Sequence, residues 1–388
     1  MGIISETESF IETEEEFKQQ VIVGDLHSGR FNNDFHYLQD NLDYFDKFLI
    51  PYIKSLSEPL TTRVVIMGDL FDNKQITSNF VQSMIADKIE ELALLCYDVV
   101  IETGNHDTQF EEHIEHSAIK LFKFMPKVIV VGKKFLKCNN TYNDQIYNYC
   151  SYQSKASKLK AIIDLCDGGS YFFGHNSIYG FKYEGIPVPE NGHLSVEDFK
   201  KFTGVFMGHI HMRQTIKQIN FVGSGLHCRQ VEYKNKKIGI DLLKSDGTTE
   251  FIENKISPKY KRMGVIDFLD FTLAEATEFC RGSFVKVMTP SSLHHLDYSI
   301  LNKILSEYRS FEVKSYFREK LDSLIEANDE KLIDIKEINL DTDYFKKYIE
   351  QLSMIVYDKK NIDVSKEDKE YLLEKLTKIK STIEVEEF

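Results

Sequence analysis

The chain has 388 residues, of which 42% are hydrophobic, and its 48 Lys and Arg against 61 Asp and Glu give a formal net charge of −13. This length allows a sizeable buried core and two or three domains. The acidic balance excludes a general electrostatic attraction to nucleic acid or anionic membranes. Any polyanionic substrate must therefore be drawn by bound cations or by a partner.

The first twenty residues, MGIISETESFIETEEEFKQQ, lack both the basic start and the apolar run of a signal or transit peptide. We predict that residues 1–20 form a solvated acidic extension, to which we assign no function. No window approaches the roughly 18 apolar residues of a membrane span, and the six cysteines show no CxxC spacing. These features predict a cytoplasmic protein with reduced thiols and no membrane partner.

Five short apolar runs recur along the chain, and each ends in polar residues. Runs of this length, rich in Val, Ile and Phe, indicate buried strands. They are QQVIVGDLH, RVVIMGDLFDN, YDVVIETGNHD, SYFFGHNS and GVFMGHIHM. Amphipathic stretches at residues 35–56 and 79–96 predict helices packed on a sheet. The sequence therefore predicts a layered α/β domain with polar clusters at the carboxyl ends of its strands, where ligands collect.

These clusters contain the residue types that hold divalent metals. Asp25 and His27 have i, i+2 spacing, as do His209 and His211, and such side chains point the same way only in an extended segment. The other donors are Asp69, Asp72, Asn105, His106, Asp107 and His175. Mixed carboxylate and imidazole ligands suit Mn²⁺, Fe²⁺ or Zn²⁺, whereas Ca²⁺ and Mg²⁺ usually take oxygen alone. Since the donors outnumber what one ion can use, we predict two ions that share a bridging carboxylate.

The ordered series GDLH, GDLFD, GNHD, GH and GHIH resembles the calcineurin-like metallophosphoesterase superfamily. Within it, the chain is most similar to SbcD-type nucleases, and phage recombination endonuclease subunits of that type look closest. Three features carry this narrower likeness: GDLFDNK, the GS turn and hairpin of FVGSGLHCRQVEYKNKKIGIDL, and residues 343–381.

The resemblance implies a β-sandwich flanked by helices, with a small α+β capping domain and a C-terminal helical hairpin. It implies a two-metal DNA exonuclease and endonuclease that acts with an SMC-like coiled-coil ATPase in double-strand-break processing, recombination and replication. A second copy of the chain is a further possible partner, in a homodimer. A phage-encoded chain would act in the cytoplasm of the bacterial host.

The resemblance also implies residue roles, with Mn²⁺ as the expected ion. The implied ligands are Asp25, His27 and His211 for the first ion, Asp69 as the bridge, and Asn105, His175 and His209 for the second. His106 would face the scissile phosphate and protonate the leaving oxygen or stabilise the transition state, with Asp107 fixing its tautomer. Asp72 stands where many family members carry a second active-site histidine, so we interpret it as a carboxylate that supports a ligand.

Other polar residues allow two interpretations. Arg30 and Lys74 follow metal-site strands, and they either contact DNA phosphate or balance local charge. We expect His113 and His116 to be solvated on a helix. The histidines expected to be structural or solvated are His227, His294 and His295.

Composition shifts after about residue 262. We predict a nuclease domain at 21–261, a capping domain at 262–318, a charged linker at 319–341 and helices that bind the ATPase at 342–388. The apolar stripes of the two helices would be Tyr344, Ile349, Leu352 and Ile355, and then Tyr371, Leu372, Leu376 and Ile379. Such a pair either docks on the partner or packs as a helical hairpin on its own domain.

Two rival functions stay open. A small-molecule or cyclic-nucleotide phosphodiesterase of the same superfamily would be expected to end after the metal domain. A non-catalytic scaffold on the same fold would be expected to lack ligands, and here none is missing. A Ser/Thr phosphatase is disfavoured, because it would show an arginine soon after the second-motif aspartate and GNHE in place of GNHD.

Overall fold

The computed structural model describes residues 2–6, 9–235, 237–264, 273–288, 354–357 and 360–363. The chain divides into two compact units, Met1–Tyr316 and Phe317–Phe388. Across the described part of the chain, no helix combines the length and the apolar character needed to cross a membrane. The predicted linker at 319–341 lies outside the described residues.

A six-stranded sheet holds the first three predicted strands side by side. In spatial order its strands are β18 (Thr249–Glu253), β17 (Gly239–Lys244), β3 (Gln19–Val23), β4 (Thr62–Ile66), β5 (Asp98–Glu102) and β6 (Val128–Val131). Strands β3 to β6 are parallel, which places their carboxyl ends at one edge. Strands β17 and β18 form the hairpin expected after the GS turn, and β17 pairs antiparallel with β3.

An eight-stranded sheet holds the other two predicted strands as parallel neighbours. In spatial order its strands are β1 (Gly2–Glu6), β2 (Phe10–Glu15), β7 (Phe135–Asn140), β8 (Gln145–Cys150), β9 (Tyr171–Gly174), β14 (Gly204–Met207), β16 (Ile219–Phe221) and β15 (Gln214–Ile216). All five strands predicted from the sequence are therefore confirmed.

Helices connect and cover the sheets. The α-helices are Arg30–Asn33, Phe35–Tyr44, Ile50–Ser55, Asn79–Leu95, Ala156–Leu165 and Leu273–Cys280, with a π-helical turn at Phe45–Leu49. The 3₁₀ turns are Pro59–Thr61, Glu111–His116, Ala118–Phe124, Val196–Phe199 and Gln230–Lys234. Two small strand pairs join Ile178–Tyr179 to Leu194–Ser195 and Lys182–Tyr183 to Ile186–Pro187. The helices predicted at 35–56 and 79–96 are confirmed.

The two sheets pack face to face. Ile22, Val65 and Val100 of the six-stranded sheet share a buried core with Phe173 and Phe206 of the eight-stranded sheet. Because side chains alternate along a strand, the intervening residues face outward and form two further cores with the helices. The expected β-sandwich flanked by helices is confirmed, and the six cysteines are buried free thiols.

The prediction that residues 1–20 form a solvated extension is wrong. Phe10–Glu15 pairs in parallel with Phe135–Asn140 and so extends the eight-stranded sheet. Glu15 is buried and accepts a hydrogen bond from the Tyr97 hydroxyl at 2.7 Å. A backbone ladder does not depend on side-chain charge, so an acidic run can form a strand when its carboxylates find donors.

Beyond the sandwich, Lys259–Gly264 pairs in parallel with Ser283–Met288. These strands include the beginning of the predicted capping domain at 262–318. Most of that domain lies outside the described residues, with His294 and His295 among them.

In the second unit, Met354–Tyr357 and Lys360–Asp363 form an antiparallel pair. The prediction of a helix that includes Ile355 is therefore wrong at this residue. The run MIVY contains β-branched and aromatic residues, which favour a strand. The helix is predicted from the spacing of apolar residues alone, without this local preference. The remainder of the predicted helical pair lies outside the described residues.

A buried ion pair links the layers of the sandwich. The Nε and Nη2 atoms of Arg63 donate to the two carboxylate oxygens of Asp98 at 2.7 and 2.6 Å, and both side chains are buried. The Nη1 atom of Arg63 also donates to the Tyr149 hydroxyl of the eight-stranded sheet at 3.3 Å.

Replacing Arg63 by Met should destabilise the fold by about 3–5 kcal/mol, because the Asp98 carboxylate would stay buried without a partner. Urea unfolding followed by circular dichroism would measure the loss. The double variant Arg63→Met, Asp98→Leu should recover most of it. A double variant as unstable as the single one would contradict the assignment.

Candidate metal centre

Each predicted ligand loop begins directly after a strand. Asp25 follows β3, Asp69 follows β4, Asn105 follows β5, His175 follows β9 and His209 follows β14. Three of these strands belong to one sheet and two to the other, so the site lies where the carboxyl ends of both sheets meet. The structure brings all seven predicted ligands together there.

The first cluster consists of Asp25, His27 and His211, whose donor atoms lie within 4.8 Å of one another. The Nε2 atoms of His27 and His211 are 3.0 Å apart. Each ring is oriented from its other nitrogen: His27 Nδ1 lies 3.0 Å from Asp72 Oδ1, and His211 Nδ1 lies 2.6 Å from Glu232 Oε1. With His211 Nδ1 donating to Glu232 and His27 Nδ1 facing Asp72, the two Nε2 atoms converge, which is the arrangement that fits a divalent cation.

The second cluster consists of Asp69, His175 and His209, with Asn105 between the two histidines. His175 donates from Nδ1 to the Met67 carbonyl at 2.5 Å, so its Nε2 faces Asp69 Oδ2 at 3.2 Å. Asn105 Oδ1 lies 2.9 Å from His209 Nδ1 and 3.2 Å from His175 Nε2. These donors also fit a divalent cation.

The Asp69 carboxylate reaches both clusters. Its Oδ2 atom lies 3.7 Å from His27 Nε2 and 3.2 Å from His175 Nε2. Its Oδ1 atom accepts from the backbone N–H of His106 at 2.7 Å, which fixes the carboxylate plane. This position suits the bridging role predicted for Asp69.

Backbone hydrogen bonds hold the first two ligand loops together. The N–H of His27 donates to the Asp69 carbonyl at 2.9 Å, and the N–H of Ser28 donates to the Leu70 carbonyl at 2.8 Å. His27, Asp69 and His209 have φ angles of 45°, 48° and 75°, which non-glycine residues rarely adopt. Such conformations cost free energy and persist where the surroundings over-determine them, as at ligand clamps.

Glycines of the motifs permit close approach to these ligands. A Cβ atom on Gly104 would lie 2.1 Å from Asp69 Oδ1, and one on Gly208 would lie 2.7 Å from His175 Nδ1. Any side chain at these positions would push a predicted ligand out of place. The glycine of GNHD and GHIH is therefore a packing requirement of the site.

The electrostatics of the second cluster favour a positive charge. Burial alone would lower the pKa of His175, yet the Asp69 carboxylate raises it to about 10. Burial opposes ionisation of Asp69, but His175 keeps its pKa well below the usual range. Burial and the neighbouring His175 lower the pKa of His209 to about 3. Without a metal ion, the carboxylates hold a proton on His175, and a divalent cation would replace that charge.

The prediction that Asp107 fixes the tautomer of His106 is wrong. His106 Nδ1 donates instead to the backbone carbonyl of Asp72 at 2.5 Å. Asp107 accepts from the backbone N–H groups of Phe71 and Gly104 at 3.0 and 2.9 Å. Consecutive side chains point apart, so His106 faces the site while Asp107 turns into the loop and holds its backbone.

Arg30 does not lie where it was expected. Its side chain is buried, its Nη1 atom donates to the His227 carbonyl at 2.5 Å, and its guanidinium lies 5.3 Å from the Tyr37 ring centroid. A left-handed turn at Gly29 directs the side chain inward. A guanidinium buried in this way is not accessible to the phosphates of DNA, which contradicts the prediction of a phosphate contact.

The other secondary candidates agree with the simpler interpretations. His113 and His116 are exposed on a 3₁₀ turn. His227 is buried and donates from Nε2 to the Asn235 carbonyl at 2.7 Å, so it is structural. Asp72 contacts His27, as expected of a carboxylate that supports a ligand. Lys74 is half-buried, and its phosphate contact stays a prediction.

Three residues of the site were missed. Glu232 orients His211, and Arg229 donates from Nη2 to His106 Nε2 at 3.2 Å and from Nη1 to the Tyr183 hydroxyl at 3.3 Å. In the run RQVE, Glu232 stands at the third position of a helical turn and accepts from the backbone N–H of Arg229 at 3.0 Å. Nothing in its spacing indicates that the turn reaches the metal ligands.

Convergent imidazole and carboxylate donors at the strand ends of a β-sandwich define a metal-dependent phosphoester hydrolase. Residues 20–213, half of the 388-residue chain, match the family model of the calcineurin-like phosphoesterases. The chain belongs to this family, whose members hydrolyse phosphoesters with divalent metals. A comparison with curated proteins gave no match.

Replacing Glu232 by Gln should weaken binding of one of the two metal ions by about 10–100-fold, because His211 would lose the carboxylate that orients its ring. Isothermal titration with Mn²⁺ would measure both sites. Glu253→Gln, which removes a carboxylate from the surface of β18, is the matched control and should bind like the parent. Equal affinities in the Glu232 variant would refute the orienting role.

Proposed function

We propose that this protein is a two-metal-dependent DNA nuclease subunit. The observation that carries the proposal is the pair of donor clusters joined at Asp69, with His106 beside the first of them. The rings of His106 and His27 have centroids 4.8 Å apart, so His106 lies at the metal site without belonging to the predicted ligand set.

Bound divalent ions would supply Lewis-acid polarisation of the phosphate and a nucleophile from water. The side chains of the two clusters hold and space those ions. His106 keeps its proton on Nδ1, where the Asp72 carbonyl accepts it, and so directs Nε2 toward the space in front of the clusters. Nε2 then carries a lone pair, so the ring must take up a second proton before it can donate one to a leaving oxygen placed there.

Two features support a polynucleotide substrate over a small phosphodiester. The second motif reads GDLFDNK, a form that resembles the SbcD-type nucleases. The chain continues past the family match with β17 and β18, and then with the pair Lys259–Gly264 and Ser283–Met288. A substrate that extends beyond one nucleotide can use such additional surface.

The purified protein with Mn²⁺ should cleave linear DNA, and it should leave a phosphopeptide and a cyclic nucleotide largely intact. Asp69→Asn is the matched control, since it keeps the side-chain volume and should lose hydrolysis of every substrate. Cleavage of the cyclic nucleotide alone would favour the small-molecule phosphodiesterase. Retention of metals without hydrolysis of any phosphoester would favour the non-catalytic scaffold.

We also propose that an SMC-like coiled-coil ATPase binds residues 342–388. The net charge of −13 supports the need for a partner in DNA binding, because affinity for duplex DNA rests on clustered Lys and Arg. Truncation before Asp341 should leave cleavage of short single strands unchanged and abolish both co-purification with the ATPase and ATP-stimulated processing of duplex ends. Persistence of both in the truncated protein would assign these residues to the chain's own fold.

A further inference from the structure

The side chain of Arg229 lies at the edge of the metal site. It is 34% exposed, and its Nη2 atom donates to Nε2 of His106, the ring predicted to face the phosphate. A cation at this position meets any oxygen that approaches His106. Arg229 lies outside the five motifs GDLH, GDLFD, GNHD, GH and GHIH. It also lies outside the family match, which ends at residue 213.

We propose that Arg229 is a catalytic residue that binds a non-bridging oxygen of the phosphodiester. The inference rests on phosphoester hydrolysis by this site and holds for any phosphodiester, DNA or smaller. Its role is to neutralise charge that develops on the phosphate as the bond to the leaving group breaks.

The guanidinium has donors to spare for this role. Its contacts are with His106 Nε2 at 3.2 Å, the Tyr183 hydroxyl at 3.3 Å and Glu184 Oε1 at 3.7 Å. An arginine carries five N–H donors in a planar fork that matches two oxygens of a phosphate. The Glu184 contact is long and partly exposed, so a phosphate oxygen can displace it.

Two separate elements hold Arg229 in place. The backbone N–H of Arg229 donates to Glu232 Oε1 at 3.0 Å, and the same oxygen accepts from His211 at 2.6 Å. Tyr183 lies on a short strand pair, and its ring packs 5.4 Å from that of His209. The residue is thus tied on one side to a predicted ligand of the first cluster and on the other to one of the second.

The charge of Arg229 is permanent. Burial would lower its pKa, yet the neighbouring Tyr183 and Glu184 raise it above the ordinary arginine value. The surrounding Asp25, Asp69 and Asp72 would repel a phosphodiester, and a fixed cation beside them offsets that repulsion. Lysine could supply the charge but not the two-pronged contact.

The test compares Arg229→Ala with Arg281→Ala, which removes the same side chain from an exposed surface position. Both variants are loaded with Mn²⁺ and assayed on bis(4-nitrophenyl) phosphate and on single-stranded DNA. Arg229→Ala should lose about 10²–10³-fold in kcat/KM, the usual effect of removing one transition-state donor. It should keep its metal content and Tm, and added guanidinium should restore part of the rate. Arg281→Ala should match the parent.

A binding measurement complements the kinetics. Inorganic phosphate should bind the Mn²⁺-loaded Arg229→Ala protein at least about tenfold more weakly than the parent, because a charge-assisted hydrogen bond is lost. Arg229→Lys should fall between the two. If Arg229→Ala does not fold, Arg229→Gln takes its place, since it keeps the polar stem without the charge.

The proposal would be overturned by a variant whose kcat/KM and phosphate affinity stay within threefold of the parent. A loss of metal content that accounts for the whole loss of rate, without rescue by guanidinium, would overturn it as well. If the parent protein hydrolyses bis(4-nitrophenyl) phosphate but not DNA, only the nuclease proposal is contradicted. The catalytic role of Arg229 would then still be tested by comparing the parent with Arg229→Ala on bis(4-nitrophenyl) phosphate.

Discussion

The site depends on one aspartate, because Asp69 contacts ligand loops that follow strands of both sheets. Its carbonyl accepts from His27 in the neighbouring loop of the six-stranded sheet, and its carboxylate faces His175 of the eight-stranded sheet. The same carboxylate fixes the backbone of His106. A single residue in a left-handed conformation therefore sets the spacing of both clusters and the direction of the substrate-facing ring. The glycine-rich form of the motifs follows from this crowding, since the chain must pass within contact distance of Asp69.

A second constraint comes from the loop after the GS turn. Glu232 gathers the imidazole of His211, the backbone N–H groups of Cys228 and Arg229, and the hydroxyl of Ser224. One buried carboxylate thus orders a metal ligand and positions an arginine at the same time. Burial works against ionisation of Glu232, but His211 lowers its pKa to about 2, which favours the carboxylate form that accepts these hydrogen bonds.

The sequence predicted the elements that repeat a simple period. Strands such as β4 and β14 end in short apolar runs, VVI and VFM, and the ligands after them follow from the rule that parallel strands end at one edge. Prediction from the sequence failed where the contact that decides a residue's position is with a residue distant in the chain. Glu15 lies in a strand where Tyr97 supplies a donor, and Arg30 points inward, where the His227 carbonyl accepts from its guanidinium. The proton on His106 is placed by the Asp72 carbonyl, an acceptor that no motif encodes.

Strand β17 is needed to complete the part of the chain that matches the family. The match ends at residue 213, yet Gly239–Lys244 covers one edge of β3, the strand that carries Asp25. A fragment that stops at the match would leave β3 as an open edge, with backbone groups ready to pair with another molecule. Such an open edge favours aggregation of the fragment. During synthesis β3 gains this neighbour only after Lys244 has been added to the chain.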